Sequence, residues 1–305
     1  MAAEERPDPA GRQRVDPLDQ RRLGLRRLVG AGILGAGLLA ALALDLDPRD
    51  LHPGKGGLAI AGEFFSRALS PALTYEAESV PAGTAPLLLK VAGALRTTVV
   101  FAAAAVSLSI VGGLFLGFLG STAWWAGDPV GGRTAGGRLL GRAGAGLVYG
   151  GTRVLITLMR SVHELLWAVL FLAAFGLSNL AAVIAIAIPF GGTLAKVFSE
   201  LIDEAPREAA HALRAAGASP LQVFLFGLLP RALPDMSAYT FYRFECALRS
   251  SAVLGFFGFP TLGYYIAASF ENLHYGEVWT YLYALFVLVI LVEWWSGALR
   301  RSFVA

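Results

Sequence analysis

Charge is what this chain has least of. Of its 305 residues only 15% are charged, while 56% are hydrophobic. A soluble domain of this length carries about a quarter charged residues. The deficit, with the apolar residues gathered into long runs, excludes an ordinary soluble domain and makes the chain an integral membrane protein. Cysteine is nearly missing: Cys246 alone excludes an intrachain disulfide framework. Four scattered His and one Cys give no zinc spacing. A Walker A loop, a GxGxxG between strand and helix, and a GxSxG turn are all absent. No catalytic residue, metal ligand or cofactor is therefore assigned. The net charge of +3 is small, and no nucleic-acid partner is expected.

The apolar runs read as six membrane spans. Residues 1–27 form a basic tail ending QRRLGLRR, and LVGAGILGAGLLAALAL (28–44) follows. No A-x-A cleavage site appears in DLDPRDLHPG, so 28–44 reads as a retained helix with its basic end inside. Within the segment 45–88, LAIAGEFFSRAL has amphipathic spacing. It lies along the outer membrane interface or packs as an ordinary loop helix. TTVVFAAAAVSLSIVGGLFLGFLGS (97–121) is long enough to cross, since about 20 apolar residues suffice. Its Gly and Ala residues suit close helix packing, a dimer interface included; lipid-facing filler is the alternative. DPVGGRTAGGRLLGRAGAG then forms a loop with three Arg against one Asp, placed inside.

Residues 147–177 form a third unit broken by the polar RSVHE, as in a helix that enters obliquely and then turns across. The fourth span (179–198) holds Pro189, which predicts a kink. The fifth is MSAYTFYRFECALRSSAVLGFFGF (236–259) and the sixth is 278–299, with Trp at both ends. The loop 255–277 has no Lys or Arg and is expected outside. Both termini then lie in the cytoplasm. The expected divisions are the tail 1–27, a first helix with a periplasmic segment 28–88, and a core 89–305.

A polar unit separates the fourth and fifth spans. DEAPREAAHALRAAGA reads as a helix: Asp203 and Glu204 favour its N-terminus, Pro206 fits the first turn and Gly217 fits its end. Ser219 and Pro220 then start a new helix as N-cap and first residue. A short helix at about 203–219 thus lies along the cytoplasmic face and can pass force from a bound partner to two spans. A plain cytoplasmic loop is the alternative.

The fifth span carries Arg243, Glu245 and Arg249. A charge at the bilayer centre costs on the order of 2.5–3.5 kcal/mol on the milder scale, so such residues face a cavity or a partner. Glu245 and Arg249, four apart, can pair. Arg243 points about 160° away from Glu245 and needs another partner. Arg243 or Arg249 lines a pathway and offers its guanidinium to an oxyanion, or the pair only fixes packing. In RSVHE, Arg160 and Glu164 are also four apart and can pair. His163 and Ser161 then hydrogen-bond across a subunit interface or face the same route.

In register with Gly217 and Leu229-Pro230, the segment resembles the inner-membrane permeases of binding-protein-dependent ABC importers. Their pattern is EAA, three residues, Gly, nine residues, Ile-x-Leu-Pro. His211 stands at the Glu position, Ala212 and Leu213 at the Ala positions, and Gly227 at the Ile position. The written Glu208-Ala209-Ala210 lies one helical turn early, with Glu208 on nearly the same face as His211. RSVHELLWAVL, GASPLQVFLFGLLP and YRFECALR narrow the likeness to phosphonate-type permeases over about residues 90–298, although GFFGFPTLG replaces their glycine-rich segment. The resemblance implies an all-α, type I importer permease fold with six spans and a coupling helix. It implies a homodimer in a bacterial inner membrane, in contact with lipid. Its partners would be a cytoplasmic ABC ATPase dimer, where ATP is hydrolysed, and a periplasmic substrate-binding protein. Glu208, His211, Arg214, Gly217, Ala218 and Ser219 would face the ATPase. Arg243, Glu245, Arg249, Arg160, His163 and Glu164 would line the route. The cargo would be an organophosphonate or a related phosphorus oxyanion (phosphite, a phosphate ester or phosphate), with another small solute as the alternative and a membrane enzyme or scaffold as a further reading.

Overall fold

The computed structural model describes residues 17–47, 54, 56–125 and 135–304, and all their regular structure is helical. Residues 1–16 of the basic tail and 128–134 of the arginine-rich loop lie outside the described residues. The helices are α1 (Pro17–Ala43), α2 (Gly57–Ser66), α3 (Leu87–Leu119), α4 (Thr122–Trp125), α5 (Ala135–Ser161) and α6 (Glu164–Phe175). They continue with α7 (Asn179–Glu204), α8 (Glu208–Ala215), α9 (Pro220–Gln222), α10 (Leu229–Val253), α11 (Leu262–Glu271) and α12 (Tyr275–Val304). Two compact units are formed, Met1–Gly62 and Glu63–Ala305. In the first, α1 carries an exposed apolar run from Leu28 to Leu42.

Among the described residues, four helical stretches are long and apolar enough to cross a membrane: Arg26–Ala43, α3, α7 and Tyr275–Leu299 of α12. Two bent pairs bring the number to six if each is one span. Ala143–Ser161 meets Glu164–Phe175 at 90°, and Pro220–Phe257 meets Leu262–Glu271 at 47°. The first bend falls at RSVHE, where the polar break predicts it. The arginine-rich stretch differs from its expected loop: from Ala135 onward it is the start of α5. Its Leu, Arg and Ala residues are good helix formers and offset the glycines.

The larger unit is built around α3 and α7, which lie side by side. Small residues let their backbones approach. A Cβ at Gly113 would stand 2.7 Å from the Leu194 Cβ, and one at Gly117 3.0 Å from the Phe198 Cβ. Ser109, fully buried, donates to the carbonyls of Ala105 (2.7 Å) and Ala187 (3.1 Å). This part of the small-residue face of the second span is thus used within the chain. α7 continues as one helix through Pro189, and Thr193 donates to the Pro189 carbonyl at 2.8 Å.

The stretch 255–277, expected as an outer loop, is folded into the bundle. Thr261 and Leu262 are buried; Thr261 donates to the Ala252 carbonyl, and Leu262 N–H donates to Thr98 Oγ1. Gly255 and Gly263 touch the backbones of Tyr264 and Ala252 where no side chain fits, which is why the turn needs glycine there. Residues 64–76 are tied to α12. Trp279 Nε1 and the Tyr283 hydroxyl donate to the carbonyls of Phe64 and Ala68, each at 2.7 Å. Glu76 accepts from Gly276 N–H (2.9 Å), and Glu277 Oε1 accepts from Glu76 N–H (2.9 Å).

Candidate functional site

The polar unit between α7 and α10 is organised by Pro206. The residue before a proline is driven out of the helical region, and Ala205 accordingly has φ −58°, ψ 140° and ends α7. Asp203 and Glu204 therefore close α7 rather than open the next helix. The surface helix is shorter than expected: α8, Glu208–Ala215. It ends in two crossed bonds, Gly217 N–H to Arg214 O and Ala218 N–H to Leu213 O, both 3.0 Å. This ending needs a left-handed residue, and Gly217 supplies it with φ +82°. Ser219 then caps α9 in a reciprocal box with Gln222: Ser219 N–H donates to Gln222 Oε1 at 2.9 Å.

α9 passes through a π-helical segment, Val223–Leu228, into α10. Leu229 N–H reaches back five residues to Phe224 O. Pro230 lacks an N–H and collides with the carbonyl four residues earlier, which favours the wider turn. α8 rests on this segment. A Cβ at Gly227 would lie 3.2 Å from the Ala210 Cα and 3.3 Å from its N. Ala210 is buried and Leu213 half-buried, while Glu208, His211, Ala212, Arg214 and Ala215 are exposed. Spacings of three and four put Glu208, His211, Ala212 and Ala215 on one outward face.

Asp203 has a use that the sequence does not announce. Its carboxylate accepts from Ser121 Oγ (2.8 Å), Thr122 N–H (3.0 Å) and Ala123 N–H (2.8 Å). Arg153 of α5 stands 3.9 Å away. One side chain thus joins the end of α7, the α3–α4 corner and α5, two residues before the turn into α8. No local pattern marks it, since Ser121 is 82 positions away.

The second group of candidates surrounds α10. Arg249 and Glu245 pair at 3.1 Å, as their spacing predicts. Arg243 finds its partner in a ring: its guanidinium carbon lies 4.2 Å from the Phe190 centroid, and its buried Nε has no hydrogen-bond acceptor. Arg160 and Glu164 do not pair. The 90° bend between α5 and α6 separates them, and Glu164 instead accepts from Ser250 Oγ at 2.8 Å. His163 Nε2 is 3.4 Å from the Glu164 carboxylate, while its Nδ1 accepts from Leu165 N–H. Arg160 is exposed, its stem packed where a Cβ on Gly192 would come within 3.0 Å. Ser250 and Phe190 were not readable as partners, because both contacts are long-range. Among the described residues, no group of three or more His, Cys, Asp or Glu could hold a metal ion.

Apolar helices, two of them broken in mid-course, with a capped surface helix slung between α7 and α10, define a polytopic α-helical membrane protein. The chain belongs to the family of binding-protein-dependent transport system inner membrane components, whose model matches residues 134–304. It is 40% identical over 160 residues to the phosphite transport system permease protein PtxC of Stutzerimonas stutzeri, covering 52% of this chain and 57% of that protein. It is 31% identical over 157 residues to the phosphate-import permease protein PhnE of Mycolicibacterium smegmatis, covering 52% and 30%. The chain thus spans little more than half the length of PtxC and under a third of PhnE. Its fold is similar to that of the methionine ABC transporter MetNI solved in inward-facing conformations, with TM-score 0.58, 19% identity, and 72% and 99% of the two chains covered.

Proposed function

We propose that the chain is the permease subunit of an ATP-driven importer and that its cargo is a phosphorus oxyanion such as phosphite or a phosphonate. The observation that carries the cargo is α10. It crosses an apolar bundle yet carries Arg243, which lies over the Phe190 ring and forms no ion pair among the described residues, and Arg249 with 57% of its side chain exposed. Facing lipid, each would cost several kcal/mol. Facing a wet route, both offer forked donors to a tetrahedral oxyanion. The similarity to a phosphite and a phosphate-import permease supports the same chemistry. Two copies of the chain enclose the route in this reading, and the termini lie in the cytoplasm. The outward face of α8, with Glu208 and His211 and with the exposed Arg214 at its edge, sits in a cytoplasmic ATPase, which performs the hydrolysis. Gly217, Ala218 and Ser219 hold that face at a fixed angle. A soluble binding protein delivers the cargo at the opposite end.

The test is ATP-dependent uptake into vesicles holding the chain with its ATPase and binding protein. They are offered labelled phosphite, methylphosphonate and phosphate separately. Accumulation of at least one is expected. Accumulation of none sinks the oxyanion reading.

A further inference from the structure

The end of α3 remote from the surface helix opens into two clefts that contain none of the charged residues of α10. The first is a cavity of about 740 Å³ between α3, the start of α7 and α11. Gly93, Thr97, Val100 and Ala104 line it along one face of α3, with Phe101 and Val183 beside them. No Gly93 side chain narrows it, and nothing stands within 4 Å of where one would be. Two cations also line it, Lys90 and Arg96, and no carboxylate does. Lys90 sits over the rings of Tyr75 (5.2 Å) and Tyr265 (4.8 Å). Arg96 is exposed. Among the described residues neither forms an ion pair. The second cleft, about 500 Å³, runs between α3 and α12 along Leu95, Val99, Ala284, Val287 and Leu291, and shares Arg96 and Val100 with the first.

Depth along α3 fits a membrane surface. At about 1.5 Å per residue, Arg96 lies about 35 Å and Lys90 about 44 Å from Leu119. Leu119 is followed by Trp124 and Trp125, and Trp125 Nε1 donates to the Leu119 carbonyl. Trp residues gather at the membrane–water boundary. One hydrocarbon thickness of about 30 Å from that boundary brings Arg96 to the headgroup level of the far leaflet.

We propose that these clefts hold one anionic phospholipid, its phosphate on Arg96 and Lys90 and one acyl chain in each cleft on either side of Arg96. A small oxyanion leaves most of a 740 Å³ apolar cavity empty; cavities of that size take ligands of many more atoms. Two unpaired cations at the mouths of two apolar grooves match a charged head with two tails. The site is independent of the cargo and lies at the end of α3 away from the Asp203 junction.

The experiment is native mass spectrometry of the full chain, stripped in detergent and titrated with phosphatidylglycerol or phosphatidylcholine. One phosphatidylglycerol per chain is expected, bound more tightly than phosphatidylcholine. Arg96→Met with Lys90→Met should weaken it about thirtyfold, given the attraction expected per basic residue near an anionic lipid surface. Ala104→Phe, which keeps both cations and fills the groove, should weaken it too. Millimolar phosphite or methylphosphonate should not displace the lipid. Unchanged retention in both variants, or no retained lipid in the unaltered chain, overturns the proposal. Displacement by the free oxyanions also overturns it and assigns a small-anion site instead. A change in the number of copies per complex without lipid assigns the clefts to contact between copies, against the proposal. Unaltered thermal unfolding of the variants excludes misfolding as the cause of loss.

Discussion

Asp203 and Arg243 are both charged side chains among apolar helices, and they are partnered differently. Asp203 accepts from a hydroxyl and two backbone N–H groups, and Arg153 stands behind it. Arg243 has a ring on one side and a bare Nε, and its helix also carries the exposed Arg249. Both arginines have a buried Nε without a hydrogen-bond partner and lie over a ring, Arg153 over Tyr149 at 5.4 Å. The difference is the carboxylate, since Arg153 stands 3.9 Å from Asp203 and Arg243 forms no ion pair among the described residues. The contrast separates a junction that keeps α7, α5 and the α3–α4 corner together from a surface with donors to spare. In the proposed reading, the junction carries movement of α8, and α10 meets the cargo.

Four substitutions break or sharpen that contrast. Asp203→Ala has the largest expected effect on stability. It leaves a hydroxyl and two N–H groups without their acceptor. Bonds to a charged group are worth about 1.5–3 kcal/mol each when buried. The exposed Thr122 N–H turns to water and the other two are only part-buried, which brings the loss to about 3 kcal/mol. Thermal unfolding in detergent reads it, and Asp203→Asn, which keeps an acceptor, should lose less. An unchanged transition for Asp203→Ala would mean that the junction is not structural. Gly227→Val comes next, at about 1–3 kcal/mol, the usual range for overpacking. Its side chain pushes on the Ala210 backbone, so α8 must lift. Transport should fall more than tenfold while the chain still inserts; normal transport would show that α8 does not need this seat. Gly217→Ala should cost about 1 kcal/mol for a left-handed alanine, read as a small fall in unfolding temperature. Arg249→Gln should cost less than about 0.5 kcal/mol, since an exposed i,i+4 pair contributes little. A large loss of stability there would make the pair structural and remove it from the route.

The parts of the fold legible in the sequence are those written locally. Apolar length gives the spans. Gly217 ends α8, and Ser219-Pro220 starts α9, because caps depend on neighbours three or four residues apart. The break at RSVHE and the Glu245–Arg249 pair are local too. What was hidden depends on distant packing. The Asp203 carboxylate looks like the start of a surface helix until Pro206 is seen to end α7 first. The expected Arg160–Glu164 pair has the right spacing, but the bend that the same segment predicts takes Glu164 to Ser250 instead. Residues 63–76 lack any local sign that Glu76 and Glu277 clasp each other's backbone across 201 positions.

The most direct measurement compares phosphite uptake and ATP hydrolysis in the same reconstituted vesicles. One set contains the unaltered chain, the other Arg243→Met with Arg249→Met. If the guanidiniums on α10 pass the oxyanion, uptake falls at least about tenfold, equivalent to one lost interaction of about 1.4 kcal/mol. Hydrolysis stimulated by the binding protein persists, because α8 and its Asp203 junction are untouched. Full uptake by the double variant would contradict an oxyanion route over α10, and so would loss of hydrolysis together with uptake.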